Sequence, residues 1–392
     1  MLVLKVVNLN SSPESATINI SGFAPTNPIA AVQVLAAPQS AVNTAQSPFA
    51  CTPAKFNWQQ NFNGSNASYT FASNSVTTIT FQGKAVAPVP VPPVVLTHRW
   101  SFNEPSNSTQ FVDSVLGVTN GLVHGSARID GNGNLVLGGM NQQTNYAELP
   151  PYLLTSTNYT AVTFEFWVTF GANNTWGRLI DFGDTDPNTG NGCYCLDFTP
   201  HSGYTPNGVN FEVSGTDPGN ASVQNIAGPP VLDNYGKIHL VLSWDSIAGY
   251  MAVYTNSVLM GINSNVTLPI SAIVNAHSYL GKSSYAGDDC GVATIDEFRM
   301  YSGAMRSAQI AADYASGPNA LPVPKLAAIS AGQNLVFTWP DYITGYTLQT
   351  STNLGAGAAW GPVSVPSPIL TNGTFLITVP TTNHQAFYRI VK

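Results

Sequence analysis

Short runs of alternating apolar and polar residues recur along the whole chain, and each ends at Gly, Asn or Pro. The pattern is clearest in Ser75–Phe81, Asn210–Val213, Met251–Tyr254 and Leu335–Trp339. Alternation with a period of two is typical of strands that bury one face. A helical pattern is convincing only at Ser307–Tyr314. The sequence therefore predicts an all-β protein built from β-sandwiches.

Two proline-rich stretches divide this pattern into three parts. Proline fills four of the six positions from Pro88 to Pro93, and a second stretch, Gly317–Pro324, follows the helical segment. Such composition favours extended, semi-rigid spacers over packed elements. We predict three β-sandwich domains, at residues 1–86, 96–317 and 326–392, joined by linkers at 87–95 and 318–325.

The composition is that of an extracellular β-protein. Charged residues make up 8% of the chain, against about a quarter in typical soluble proteins, and the net charge is −7. No basic stripe is present to bind nucleic acid, and no run of about 18 apolar residues is present to insert in a membrane. Leu2–Val7 lacks the layout of a signal peptide, so we expect part of a longer secreted protein or a chain without its leader. We expect a monomer that is secreted or held at the cell surface.

Five segments of the middle domain carry a family resemblance. His98–Glu104 opens the domain and Thr294–Tyr301 closes it, with Thr163–Val168, Gly236–Asp245 and Tyr279–Lys282 between them. In this order they resemble segments of the laminin G-like, concanavalin A-like domains of secreted proteins. The resemblance implies a two-sheet jelly roll whose commonest use outside the cell is sugar binding, with catalysis as the less common use.

The first and last domains resemble parts of polysaccharide-degrading proteins. Leu4–Asn8 and Tyr69–Phe71 are similar to segments of the C-terminal β-sandwich that follows the catalytic barrel in one family of α-L-arabinofuranosidases. Glu14 is the only acid of the first domain, and a glycosidase mechanism needs a carboxyl pair, so this domain alone cannot perform that mechanism. Leu335–Pro340 and Phe387–Val391 resemble a small β-domain that ends many secreted bacterial proteins, which implies sorting or anchoring.

Two loop-rich stretches of the middle domain combine aromatic and polar residues, at 176–211 and at Ser283–Asp289. Sugar binding uses flat aromatic faces together with a few well-placed polar groups that hydrogen-bond hydroxyls. The candidate ligand-binding residues are Tyr194, Tyr204, Tyr285, Trp176, Asp288 and Asp289. For each aromatic residue the alternative is packing inside the domain, which the family pattern around Trp176 favours at that position.

Three consecutive predicted strands each carry one acid, namely Asp181, Asp197 and Glu212. If these strands pair in order, the acids share one face, which is where concanavalin-type hydrolases place their catalytic acids. A register shift of one residue would send any of them to the other face. The Glu-x-Asp-x-x-Glu run of those hydrolases is absent. The three acids are therefore catalytic candidates only under the alternative that the domain is a glycoside hydrolase.

One structural calcium ion is implied by the resemblance. Related domains often hold calcium near the join of the first and last strands, and Asp113 and Asp296 occupy matching positions. The alternative is that Asp296 and Glu297 pair with Arg99 or Arg299. We expect no other cofactor.

Three of the four cysteines lie in the middle domain. Cys290 could form a disulfide with Cys193 or Cys195 in an oxidising compartment, or the three could be free buried thiols. Their spacing does not match a zinc site. The sequence leaves both alternatives open.

These inferences predict a non-catalytic carbohydrate-binding fragment of a secreted protein that degrades polysaccharides. The expected partner is a plant cell-wall polysaccharide or oligosaccharide, and the first domain suggests an arabinose-bearing hemicellulose. The alternatives are a glycoside hydrolase acting through acids on the concave face of the middle domain, and a structural spacer or surface adhesin.

Overall fold

The computed structural model divides the chain into two compact units, Met1–Val91 and Pro92–Lys392. It describes residues 1–20, 23–60, 66–85, 94–139, 143–155, 157–215, 222–340, 345–363, 367–371, 374–381 and 385–392. Most of the predicted linker 87–95 lies outside these ranges. Within them the ordered elements are strands, together with one α-helix and one 3₁₀ turn. The predicted all-β class is confirmed, and among the described residues no helix has the length and apolarity needed to cross a bilayer.

The first unit is a small β-sandwich. Strands β1, β7, β4 and β5 form an antiparallel sheet in that order, β2 pairs with β6, and β3 pairs with β8. Alternate residues of these strands, including Val32, Ile79, Phe81 and Tyr69, form its core. The strands are β1 (Leu2–Asn8), β2 (Glu14–Asn19), β3 (Phe23–Pro25), β4 (Ile29–Ala36), β5 (Ala54–Gln59), β6 (Asn66–Phe71), β7 (Ser75–Phe81) and β8 (Gly83–Ala85).

The central domain is a sandwich of two large sheets. Its strands are β9 (Val95–Trp100), β10 (Gln110–Asp113), β11 (Val118–Val123), β12 (Arg128–Ile129), β13 (Leu135–Leu137), β14 (Ala147–Leu149), β15 (Ala161–Phe170), β16 (Ile180–Thr185), β17 (Gly192–Ser202), β18 (Gly208–Val213), β19 (Gln224–Gly228), β20 (Ile238–Asp245), β21 (Tyr250–Thr255), β22 (Val258–Asn263), β23 (His277–Leu280) and β24 (Ala293–Ser302). The 3₁₀ turn is Ile270–Ala272, and helix α1 is Ser307–Ser316.

One sheet, here called the site sheet, has the order β10-β11-β14-β23-β16-β17-β18-β19. The other, here called the helix-side sheet, has the order β12-β13-β24-β15-β20-β21-β22, with β9 also paired to β24. The first and last strands of the domain, β9 and β24, therefore lie side by side. These strands include parts of the two segments, His98–Glu104 and Thr294–Tyr301, that open and close the domain in the sequence.

The core of the central domain lies between these two sheets. Phe166 and Phe298 stack at 4.3 Å between ring centres, and Phe298 also stacks on Trp100 at 5.1 Å. On the site sheet Phe182 and Phe198 point into the same core. Because side chains alternate along a strand, the residues between these apolar positions face outward.

Helix α1 covers the outer face of the helix-side sheet. Ile310 packs with Val241 and Tyr301 of that face, and Tyr314 stacks on His239 at 5.6 Å. The helix runs two residues beyond the predicted end and stops where Gly317 adopts φ 75° and donates its N–H to carbonyl oxygens of the last turn.

The C-terminal domain is a third, smaller sandwich. Strands β25, β26, β30 and β29 form one sheet, and β28, β27 and β31 form the other. Trp339 and Phe337 are buried in its core. The strands are β25 (Ala327–Ala331), β26 (Asn334–Pro340), β27 (Thr347–Ser351), β28 (Gly361–Pro362), β29 (Ile369–Thr371), β30 (Thr374–Pro380) and β31 (Phe387–Val391).

Candidate functional site

The outer face of the site sheet carries a row of acids. Strands β16, β17 and β18 pair in sequence order, and the register places Asp181 opposite Asp197 and Asp197 opposite Glu212. The same row continues to Tyr279 on β23 and Asn225 on β19. Since directly paired residues share a face, the three predicted acids lie side by side.

A buried arginine holds these acids together. The Nε atom of Arg178 lies 3.2 Å from Asp197 Oδ1 and 3.9 Å from Asp181 Oδ2, and its Nη2 atom lies 3.4 Å from Asp288 Oδ2. Its Nη1 group donates to the Thr199 hydroxyl at 2.8 Å. Arg178 is 3% exposed, so these short-range pairs act with little screening by water.

The loop Ser283–Asp289 closes over the acids from the end of β23. Ser284 donates its N–H and its hydroxyl to the two carboxylate oxygens of Asp181, at 2.7 and 2.6 Å. Ser283 donates to Asp288 at 2.8 Å, which directs that carboxylate toward Arg178. The loop is therefore tied to the strand residues by hydrogen bonds at two positions.

The cluster contains more acids than the single arginine can pair with, and burial raises the pKa of three of them. Burial raises the pKa of Asp197 well above its usual range, Arg178 opposes the rise, and the neighbouring Glu212 and Asp181 carboxylates add to it. Burial likewise raises the pKa of Asp181 and Asp288 against the opposing effect of Arg178. Burial therefore favours the neutral form of each of these three carboxyl groups.

Asp197 and Glu212 form a closed hydrogen-bonded pair. Oxygen atoms of the two side chains lie within 4.8 Å of each other and of Cys195 Sγ, and a hydrogen bond joins the two carboxyl groups. Asn210 donates to Glu212 at 2.5 Å, and Asn225 donates to Asn210 at 2.9 Å. Asp197 is 0% exposed and Glu212 3%, so this pair forms the floor of the site and does not face solvent.

Three half-exposed aromatic rings surround the arginine. The guanidinium carbon of Arg178 lies 5.6 Å from the Trp176 ring and 5.7 Å from the Tyr285 ring, and Trp176 meets Tyr204 edge to face at 5.1 Å. Glycines make room for two of the rings. A Cβ atom at Gly192 would lie 2.5 Å from Tyr285, and one at Gly203 would lie 2.9 Å from Trp176.

Trp176 is held in a strained backbone conformation at the edge of this group. Its φ is 71°, in the left-handed region that bulky residues rarely adopt. Its N–H donates to the carbonyl of His201 at 2.9 Å, and its own carbonyl accepts from Arg178 at 3.0 Å. Such strain persists where the surroundings fix the backbone, and here it keeps the indole beside Tyr204.

Comparison with known proteins gives one family model that matches most of this domain. The model described as the concanavalin A-like lectin/glucanases superfamily, Laminin_G_3, matches residues 141–311. The central domain is a concanavalin A-like jelly roll. A search of curated proteins found no match to the chain.

Several solved structures are similar in fold at low sequence identity. Domain 4 of AbnA, a GH43 extracellular arabinanase from Geobacillus stearothermophilus in complex with arabinotriose, is 19% identical, with 56% of this chain and 98% of that chain covered and a TM-score of 0.40. The CBM40 of the Ruminococcus gnavus IT-sialidase, bound to α2,3-sialyllactose, is 15% identical over 39% and 80%, with a TM-score of 0.32. The binding domain of botulinum neurotoxin DC in complex with SialylT is 11% identical over 74% and 86%, with a TM-score of 0.41. These likenesses concern the fold alone.

Two other predicted binding residues of the concanavalin A-like domain, Asp289 and Tyr194, are held by hydrogen bonds to different parts of the chain. Asp289 accepts a hydrogen bond from Asn174 at 2.7 Å, on the loop that also carries Tyr285. Tyr194 has φ 48°, and its carbonyl accepts the N–H of Val274 at 3.0 Å. Tyr194 is thus tied to the segment before β23, while Trp176, Tyr204 and Tyr285 gather around Arg178.

The two predicted calcium ligands have protein partners. Asp113 is buried, accepts from Arg99 N–H at 3.2 Å, and pairs with His98 at 2.7 Å. Burial raises its pKa, but these hydrogen bonds outweigh burial and leave the pKa below its ordinary value. Asp296 pairs with Lys237 at 2.6 Å. Calcium binding at these positions stays a prediction.

The structure settles the two alternatives for the cysteines. None of Cys51, Cys193, Cys195 and Cys290 forms a disulfide, so the predicted bridge from Cys290 to Cys193 or Cys195 is absent among the described residues. Burial raises the pKa of Cys195 well above its usual range, and the nearby carboxylates add to the rise. The Cys195 thiol therefore stays protonated beside Asp197.

A second buried arginine lies on the helix-side sheet. Arg299 is 0% exposed and pairs with Glu165, Glu297 and Asp313 at 3.2, 2.6 and 3.6 Å. Its Nη2 group donates to the carbonyl of Pro318, just after α1. Glu297 also binds Arg99, which confirms part of the ion pairing that the sequence offered as an alternative to calcium.

Sequence reasoning missed the arginine at the centre of the site. Arg178 follows Trp176 and Gly177 in a segment that looks like a turn. The sequence did hold one signal for a buried arginine. Four acids lie close together on paired strands and one loop, and buried carboxylates need a positively charged partner.

Proposed function

We propose that the central domain is a non-catalytic carbohydrate-binding module of a secreted protein. The observation that supports it is the gathering of Trp176, Tyr204 and Tyr285, all half-exposed, around the buried Arg178 and its acids. The rings offer flat faces for the C–H groups of a sugar, and the polar groups beneath them offer hydrogen bonds. Because both are already held in place, the protein loses little conformational entropy when the ligand binds.

The hydrogen-bonding groups at the rim suit sugar hydroxyls. Asp288 and Asp289 are half-exposed, and Asn174 is exposed beside them. Carboxylate and amide groups at such positions can accept from or donate to adjacent hydroxyls while the rings contact the apolar face of the sugar. The surface therefore matches a sugar polymer better than a nucleic acid, since Arg178 is already neutralised by acids.

The buried acids favour binding over hydrolysis. A hydrolytic carboxyl pair lies about 5 to 10 Å apart across an open groove that admits water. Asp197 and Glu212 instead share a hydrogen bond below the aromatic rings, and neither is exposed. In this arrangement they support Arg178 and the strands rather than meet a substrate.

We propose that the ligand is a plant cell-wall polysaccharide, with arabinose-bearing hemicellulose as the first candidate. The support is the resemblance of the first domain to the β-sandwich of α-L-arabinofuranosidases. A module of this kind acts by proximity, because binding to an insoluble polymer raises the local concentration of any linked catalytic unit.

The experiment incubates the intact protein with arabinoxylan, arabinan, xylan, β-glucan and cellulose and measures retained protein and released sugar in the same tubes. Retention without products is expected, and Tyr204→Ala and Tyr285→Ala should each weaken it by about tenfold or more. Tyr152→Ala, an exposed tyrosine after β14, serves as the control. Failure to bind any of the polymers would overturn the proposal and favour a spacer or adhesin.

A second candidate function is a glycoside hydrolase. The register that aligns Asp181, Asp197 and Glu212 on one face favours it, as does the raised pKa of Asp197, since a general acid must hold its proton at working pH. This function requires Tyr285 and its loop to move away from the acids. Released oligosaccharides that disappear with Asp197→Asn or Glu212→Gln would establish it.

A further inference from the structure

A second cluster on the outer face of the site sheet is not used by the proposed site. Lys282 Nζ lies 4.5 Å from the centre of the Tyr146 ring and 4.8 Å from that of Tyr279. The two rings meet edge to face at 5.2 Å. One ammonium group is thus held against two aromatic faces.

Two histidines extend these rings into a wider platform. His124 stacks on Tyr146 at 4.5 Å with 14° between the planes, and His277 stacks on Tyr279 at 5.0 Å with 11°. The side chains of the two histidines are 35% and 32% exposed, whereas Tyr279 is 7% exposed, so solvent reaches the platform at the histidine rings and Tyr146. We call His124, Tyr146, His277, Tyr279 and Lys282 the tyrosine–lysine cluster.

The two carboxylates near this cluster lie beside its histidines and not beside Lys282. Glu148 pairs with His124 at 3.0 Å, and Asp184 lies 3.7 Å from His277. Among the described residues, no carboxylate lies within 4.0 Å of Lys282. The ammonium group of Lys282 is therefore available to an anion that arrives on the platform.

The cluster and the proposed sugar site share one face. Tyr279 lies directly opposite Asp181 in the pairing of β23 with β16, and Lys282 immediately precedes the loop that carries Tyr285. Neighbouring strands are about 4.8 Å apart, so adjacent units of one polymer can reach both groups.

We propose that the tyrosine–lysine cluster binds an acidic sugar residue, whose carboxylate or sulfate group meets Lys282 while its C–H face lies on the ring platform. This inference rests on the proposed function, and it deepens it by naming the ligand class as an acidic rather than a purely neutral polysaccharide. A charge-assisted pair with a half-buried ammonium group is strong enough to set a preference.

The experiment measures the affinity of the full chain for three probes by isothermal titration calorimetry. The probes are glucuronoxylan oligosaccharides, the same material with its carboxyl groups reduced to alcohols, and sulfated carrageenan oligosaccharides. Reduction of the carboxyl groups should weaken binding about tenfold. Lys282→Gln should abolish that difference, while Lys237→Gln, which removes a lysine paired with Asp296, should keep it. Binding of the carrageenan probe that Lys282→Gln removes would assign the anion as a sulfate ester.

Equal affinity for the native and reduced glucuronoxylan, without binding of the sulfated probe, would overturn the inference. So would a preference that survives in Lys282→Gln. If neutral arabinoxylan still binds in a way that depends on Tyr204, only this inference fails, whereas loss of all binding sinks the proposed function as well. Should Lys282→Gln unfold, Lys282→Arg keeps the charge and should keep the preference.

Discussion

Each of the two outer faces of the central sandwich buries an arginine among acids. Different parts of the chain cover these two arginines. Around Arg299 the chain supplies its own cover, because α1 contributes Asp313 and the next segment contributes the carbonyl oxygens of Pro318 and Ala320. Around Arg178 the cover is the Ser283–Asp289 loop and three half-exposed rings.

The charge balance of the two clusters also differs. The helix-side cluster pairs two arginines and a histidine with three acids, namely Arg99, Arg299, His239, Glu165, Glu297 and Asp313. The site-sheet cluster sets Arg178 alone against four acids. A balanced and covered cluster serves to hold the structure together, and an acid-rich cluster bordered by exposed rings is suited to contact a ligand.

The largest expected effect is on stability at Arg299. Arg299→Met leaves buried carboxylates without their partner and should lower the free energy of unfolding by about 3–5 kcal/mol. Arg178→Met should cost less, about 1–3 kcal/mol, because burial raises the pKa of the Asp181 and Asp197 carboxyl groups and favours their neutral form once the arginine is lost. Denaturant unfolding of both variants measures the difference, and an equal or greater loss at Arg178 would contradict the comparison.

A pair of isosteric substitutions sharpens the contrast between the acids. Glu165 accepts hydrogen bonds from His239 at 2.8 Å and Tyr301 at 2.8 Å in addition to its pairing with Arg299, so Glu165→Gln should destabilise by about 2–3 kcal/mol. Asp197→Asn should cost under about 1 kcal/mol at pH 7, because burial raises the pKa of Asp197 and favours its neutral form, which an amide resembles. Thermal unfolding of the two variants would disprove this if their order were reversed.

The helix-side cluster should also respond to pH through Asp313. Burial raises the pKa of Asp313 to about 9, Glu165 adds to the rise, and Arg299 opposes it. Between the unfolded value of 3.8 and this folded value, only the folded state holds the proton, so raising the pH favours unfolding. Asp313→Asn should make stability less dependent on pH across this range in urea titrations. An unchanged dependence would show that Asp313 does not titrate as described.

The smallest expected effect is at Tyr194, which lies away from the rings around Arg178. Tyr194→Ala should change retention on the bound polysaccharide by less than about twofold, within the range of residues outside a hot spot. The same pull-down that tests Tyr204→Ala measures it. A loss comparable to that of Tyr204→Ala would show that Tyr194 belongs to the binding site.

The sequence was sufficient for the fold, but it left the face that carries the acids open to a register shift of one residue, which the strand pairing resolves. Alternation in Leu179–Phe182, Cys193–Phe198 and Asn210–Val213 identifies both the strands and their polar side, because consecutive strands commonly pair. Once they pair in order, side-by-side placement of Asp181, Asp197 and Glu212 follows from the geometry of a sheet.

The rest of the site depends on contacts between distant parts of the chain. Arg178 is buried because the loop at Ser283–Asp289 folds over it, and nothing in its local segment marks it as buried. Lys282 meets Tyr146 only because β14 and β23 are neighbours in the sheet. Local patterns give the strand faces, but the order of strands from different parts of the chain decides which side chains meet.

The carbonyl oxygens of Pro318 and Ala320 that bind Arg299 also decide where the chain leaves the central domain. They fix the departure of the C-terminal domain to the side of the sandwich opposite the acid row, since the two outer faces point away from each other.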